Sequence, residues 1–113
     1  IDIIDNLTEK DFNEVTSYWL ELYKKKKYFN FEFNIKNLNY VNPIYIFYMG
    51  IFIKKIKKEE SQYLEYSKIY IYNKYIFTLL KYIFNLEKPV APVYIYLLNE
   101  ENNDIINELC INV

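Results

Sequence analysis

The spacing of apolar residues changes period several times along the chain, and each change marks an element. From Thr8 onward Phe12, Val15, Trp19 and Leu22 recur at helical intervals, with Tyr18 and Tyr23 beside them. Thr8 suits the N-cap with Asp11 three residues on, Glu9 and Asp11 suit the positive end of the helix dipole, and Lys24, Lys25, Lys26 and Lys27 close the segment. The preceding "IDII" reads as the tail of a strand or a frayed end. From Phe29 to Lys36 the period falls to two. Phe29, Phe31, Phe33 and Ile35 face one way, and Asn30, Glu32, Asn34 and Lys36 the other, so a strand with one well-buried face is expected.

"NLNYVN" is a polar connection into a second helix over 43–58, where Asn42 fits the N-cap and Pro43 the first helical position. Ile44, Phe47, Tyr48, Ile51 and Phe52 are apolar and so are their neighbours, which predicts a largely buried helix. Gly50 in its interior costs ~1 kcal/mol against Ala, a cost that a close contact with a strand or another helix would justify. "EESQYLEYS" reads as a loop anchored by Leu64. A short strand follows over 68–73, and an amphipathic helix over 74–86 places Ile76, Leu79, Leu80, Ile83 and Phe84 on one face. A two-proline loop leads to a strand over 93–98. "NEENNDIINELC" reads as a last helix with Ile105, Ile106, Leu109 and Cys110 inward. Strands alternating with helices imply right-handed crossovers and an α/β fold with a mainly parallel sheet of three to four strands. The 113 residues suit one domain, 1–113, and the lack of an initiator Met carries the expectation that native residues before Ile1 are missing.

Composition narrows the chemistry. The chain holds 17 Ile, 14 Asn, 14 Tyr and 14 Lys, all read from AT-rich codons, and no Arg. Without Arg, bidentate capture of phosphate or carboxylate is closed, which leaves Lys, backbone amides and helix N-termini for anions. The absence of His removes the commonest general acid–base residue and metal ligand. A single Cys110 cannot form an internal disulfide, in keeping with a reducing, cytoplasmic setting. Net charge of −1 argues against a general nucleic-acid binder. Glu59-Glu60 and Glu100-Glu101 are adjacent in polar contexts and point apart, and one Gly cannot build a phosphate loop. No catalytic, cofactor or metal residue is assigned, and no cofactor is expected. The uncharged run 37–53 is interrupted by three Asn, a Pro and a Gly, too polar for a spanning helix of about 20 residues.

The stretches "FNFEFNIKNLNYVNPIYIFYMGIFIKKIKK" and "KIYIYNKYIFTLLKYIFNL" resemble a strand, loop and following helix, and then the next strand and helix, of the STAS superfamily, the fold of anti-sigma-factor antagonists and sulfate-transporter tails. "TEKDFNEVTSYWLELY" resembles the early helix of a divergent STAS-like branch that is also similar to CRAL-TRIO lipid-transfer domains. The resemblance implies a non-enzymatic regulatory or protein-interaction module with a protein partner. Its alternative is a lipid- or membrane-binding module. In phosphorylatable STAS proteins a Ser before the helix accepts phosphate. The matching "YVNPIYIF" has no Ser or Thr, so that switch is expected to be absent.

Two rims follow from this topology. Helices run opposite to parallel strands, so Lys25, Lys26, Lys55 and Lys57 should gather at the N-terminal edge of the sheet, first as partners of helix C-termini and alternatively as an anionic-surface rim. Asn42, Pro43, Asn73 and Asn99 should gather at the opposite edge, where open α/β sheets bind ligands, first as caps and alternatively as a partner-contacting rim. Tyr70, Tyr72, Tyr94 and Tyr96 alternate with Ile and Leu and should line the second sheet face. A nucleic-acid platform there is disfavoured without Arg or a basic stripe.

Overall fold

The computed structural model describes residues 1–3, 6–38 and 40–113. Ile4 of the opening segment and Asn39 of the polar connection lie outside the described residues. Among those described, the order is β1 (Asp2–Ile3), α1 (Glu9–Lys24), β2 (Phe29–Ile35), α2 (Pro43–Lys57), β3 (Leu64–Ile71), α3 (Lys74–Leu86), β4 (Val93–Leu98) and β5 (Ile105–Ile111). The strands form one sheet in the order β1-β2-β3-β4-β5. The first four run parallel and β5 is antiparallel to β4. The fold is α/β, with five strands where three to four were expected.

Local chemistry sets the boundaries as read. Thr8 and Asp11 form a reciprocal capping box, Asp11 N–H donating to Thr8 Oγ1 at 3.2 Å and Thr8 N–H to Asp11 Oδ2 at 3.0 Å. Lys26 turns the chain out of α1 with φ 53°, and Asn37 turns it out of β2 with φ 57°. β3 begins at Leu64, earlier than expected, because the supposed loop pairs with β2 through Phe29↔Leu64, with a register shift before Phe31↔Ser67.

Each parallel crossover steps to the next strand in the same direction. Right-handed connections therefore place α1, α2 and α3 on one face of the sheet. The core lies between that face and the helices, in two parts. Beneath α1 and α2 it is aromatic: Trp19 meets Phe31 and Phe52 edge-to-face, with ring centroids 5.2 and 5.1 Å apart, near fully buried Ile56. Beneath α3 it is aliphatic, built on Ile69, Ile71, Ile76, Val93 and Ile95. Tyr23 is buried, whereas Tyr18 is exposed although its ring lies 6.4 Å from that of Phe31.

Three expectations are corrected. The last segment is a strand. Asn99–Asp104 makes a hairpin turn, with Asn99 N–H donating to the Asp104 carbonyl at 2.8 Å, Glu101 N–H to Asn99 Oδ1 at 2.8 Å, and Asn103 at φ 60°. Asn caps and Asn turns draw on the same side-chain chemistry, and the open edge of β4 decided the outcome by pairing with 105–111. Ile105, Ile106 and Cys110 are consequently exposed rather than inward. Second, α2 is not largely buried. Phe52, Ile53 and Ile56 are, but Ile44, Phe47, Tyr48 and Ile51 face solvent, because α2 lies on one side of a two-layer fold with no layer above it. Third, no close approach explains Gly50: among the described residues a Cβ added there would meet nothing within 4 Å.

Candidate functional site

The face of the sheet away from the helices carries the tyrosines. In the parallel register Asp2, Asn34, Tyr70 and Tyr96 form one cross-strand row that continues to Glu108 on β5. Glu32, Lys68, Tyr94 and Cys110 form the row beside it. Within the first row Tyr70 and Tyr96 stack, with centroids 5.2 Å apart and planes at 17°. Next to them Tyr66 meets Tyr94 edge-on at 6.2 Å, and the Lys68 ammonium sits 5.7 Å from the Tyr66 ring. At the end of the face Lys36 lies 6.0 Å from the Tyr72 ring. Each of the five tyrosines is half-buried by its neighbours on the sheet, with no helix over it. The surface is flat and amphipathic, and its charges are mixed, with Asp2, Glu32 and Glu108 against Lys36 and Lys68. That pattern offers large aromatic contact area with local hydrogen-bonding tips.

The two expected rims are occupied by local work. Asn42 Oδ1 accepts from Ile44 N–H at 3.1 Å, and Asn73 Oδ1 from Tyr75 and Ile76 N–H at 2.7 and 3.3 Å. Both cap their helices, and Pro43 takes the first position of α2. Asn99 is a turn residue, not a helix cap. These positions share the C-terminal edge of the parallel strands. At the other edge Lys25 is the C-cap of α1, and Lys55 and Lys57 end α2. Lys26 does not stand in a purely basic field: with Lys24 it lines a surface groove of about 490 Å³ that Glu21, Glu59 and Glu60 also line. Lys57 donates to Glu87 at 2.7 Å and Lys54 lies 3.9 Å from the same carboxylate, tying the end of α2 to the end of α3. The Lys57 hydrogen bond, opposed in part by desolvation and helped by both ammonium charges, holds the Glu87 carboxyl below its usual range. This is a surface link between helices. Lys55 makes no ion pair among the described residues.

Between the helices and the sheet lies a cavity of about 190 Å³, lined by Trp19, Phe33, Ile53, Leu80 and Phe84 among other apolar side chains, with Ser67 the one small polar residue. Ligand pockets run to ~300–1,000 Å³, so this space is small, and its apolar walls favour a dry void. Trp19 Nε1 is buried without a hydrogen-bond acceptor among the described residues, and the indole is held by its edge-to-face contacts instead. Among the described residues no group of three His, Cys, Asp or Glu is placed to hold a metal ion. No helix among them is long and apolar enough to cross a membrane.

Sequence reasoning missed the outer face of α2. Ile44, Phe47, Tyr48 and Ile51 are 44, 65, 39 and 52 % exposed and follow the i, i+3, i+4, i+7 spacing of a single stripe. The available signal was the position of the lysines: Lys55 and Lys58 continue that stripe, which a fully buried helix would not tolerate.

In comparisons with known proteins, no family model, curated protein or solved structure matches the chain.

Proposed function

We propose that the chain is a non-enzymatic regulatory or protein-interaction module of STAS-like fold, cytoplasmic, that docks a protein partner on its open sheet face. One observation carries the reading: the sheet is covered by helices on one side only, and its bare side concentrates Tyr66, Tyr70, Tyr72, Tyr94 and Tyr96. Tyr is enriched in protein interfaces because a rigid ring supplies contact area at low entropic cost while its hydroxyl finds partners. The few charges on that face are of both signs, which suits a specific protein surface better than a polyanion.

Affinity capture from the native source, with mass spectrometry of proteins and lipids, tests the proposal. A protein retained by the native chain and lost with Tyr70→Lys combined with Tyr96→Lys is the expected result, provided the variant melts cooperatively. Retention of the same protein by the variant, or recovery of lipid alone, overturns it. A phosphorylation switch at the start of α2 is not expected, because 40–45 holds no Ser or Thr. Phosphosite mapping after incubation with ATP and source lysate checks this, and a regulatory phosphate within 40–45 would refute it.

The alternative, a module that encloses lipid as CRAL-TRIO domains do, finds little support in a 190 Å³ cavity. A membrane role from the outside is a separate matter, because it rests on the exposed stripe of α2.

A further inference from the structure

We infer that the outer face of the α2–α3 layer is a peripheral docking surface for an anionic phospholipid bilayer. The inference goes beyond the protein-docking proposal and uses the opposite side of the molecule. Along α2 the exposed stripe Ile44, Phe47, Tyr48 and Ile51 runs into Lys55 and Lys58 on the same side. Between them α2 and α3 carry Lys54, Lys55, Lys57, Lys74 and Lys81 and no Asp or Glu. Acidic side chains near the helical layer are on α1, as Glu9, Asp11, Glu14 and Glu21, at Glu59 and Glu60 just past Lys58, and at Glu87 just past α3, where it pairs with Lys54 and Lys57. Along α2 and α3 positive charge is therefore in excess, although the whole chain is close to neutral, and Lys55, which continues the stripe, makes no ion pair among the described residues. On α3, Tyr75 and Tyr82 are also exposed, and tyrosine rings of this kind sit well at the boundary of headgroups and acyl chains.

Charge and shape choose among the occupants. A second copy pairing α2 with α2 in parallel would set lysines against lysines. In antiparallel pairing they would meet the positive N-terminal end of the other helix, whose first turn holds no acidic residue. Neither arrangement is self-complementary. A protein partner would need an apolar groove with an acidic rim shaped to a protruding helix. A bilayer needs no preformed groove: it yields around Phe47 and Ile51, while Lys55 and Lys58 extend their stems to reach lipid phosphates. In that orientation the tyrosine face of the sheet points away from the membrane and is open to a protein.

Co-sedimentation with vesicles tests the inference. The native chain should bind vesicles of phosphatidylcholine containing about one third phosphatidylserine and should not bind phosphatidylcholine alone, and raising salt from about 0.1 to about 0.5 M should release it. Phe47→Gln with Ile51→Gln should weaken binding by roughly 100-fold or more, since two apolar side chains no longer leave water. Lys55→Gln with Lys58→Gln should weaken it by roughly 30-fold, at about fivefold for each lysine. Both pairs lie on the surface, and unchanged thermal melts would show that the fold is intact. The inference is overturned if the native chain ignores the anionic vesicles, binds both compositions equally, or binds undiminished in either double variant. It is equally overturned if sedimentation equilibrium shows a dimer that Phe47→Gln with Ile51→Gln abolishes, which would make a second copy the occupant.

Discussion

Helices α2 and α3 lie side by side on the same sheet, and both are rich in Ile and Phe, yet they use their apolar residues differently. α3 is amphipathic in the ordinary way. Ile76 and Phe77 are buried, Leu79, Leu80, Ile83 and Phe84 half-buried, and Lys74, Thr78, Lys81 and Asn85 outside, joined by Tyr75, Tyr82 and Leu86. α2 buries Phe52, Ile53 and Ile56 but also presents Ile44, Phe47, Tyr48 and Ile51 to solvent. The difference teaches that apolarity on all sides of a helix reports how many surroundings it avoids water in, not how many layers its own chain provides. α3 is satisfied by the sheet. α2 has a second face that this chain leaves uncovered.

The comparison can be broken most forcefully at the inner faces, where the two helices should behave alike. Ile56→Ala in α2 and Ile76→Ala in α3 each remove a side chain that is 0 and 2 % exposed, and each should cost ~2–5 kcal/mol in urea unfolding. Ile51→Ala, on the outer face of α2, should change stability by less than ~0.5 kcal/mol. A cost for Ile51→Ala close to that of Ile56→Ala would mean that the stripe is buried after all.

The caps sharpen the comparison at a smaller scale. Asn73 holds two backbone N–H groups of α3 and Asn42 one of α2. Asn73→Ala should cost about 1 kcal/mol and Asn42→Ala less, read as a difference in thermal midpoint. Equal costs would show that the second bond on Asn73 adds nothing.

Gly50 separates the helices in the opposite direction. Its helical site is open to a Cβ, so Gly50→Ala should stabilise the protein by about 0.5–1 kcal/mol through the unfolded chain's lost freedom. A destabilising result would mean that something occupies the space beside α2.

The smallest effect belongs to the link between the helix ends. Glu87 has its carboxyl lowered by Lys57 and Lys54. A carboxylate with a depressed folded-state value stabilises above its unfolded value and loses that contribution as pH falls through the folded one. Acidification below about 4.5, the ordinary value, should therefore release α2 from α3 at this end. Glu87→Gln should flatten that part of the stability–pH curve, and an unchanged curve would remove Glu87 from the account.

How much of this was legible in the chain depended on how far each signal reaches. Thr8 with Asp11, Asn42 with Pro43, and Asn73 before Lys74 act within a few residues, so three helix starts could be read directly. The period-two pattern of Phe29, Phe31, Phe33 and Ile35 gave β2, and the alternating tyrosines of β3 and β4 gave the second sheet face, because alternation is a property of any strand whatever it pairs with. "NEENNDIINELC" could not be read this way. Its Asn and Asp residues suit a helix cap and a hairpin turn equally, and the free edge of β4 lies outside the segment itself. The outer face of α2 was hidden for a related reason. Residue type says that Phe47 and Ile51 avoid water, but only the stacking of elements says whether there is anything to avoid it with. Sequence by itself determined the local elements, the α/β class and the tyrosine face, all of which follow from periodicity and caps. The tertiary structure alone decided the strand order, that β5 pairs with the edge of β4, and that α2 leaves a stripe bare, because layer order and edge pairing depend on residues far apart in the chain.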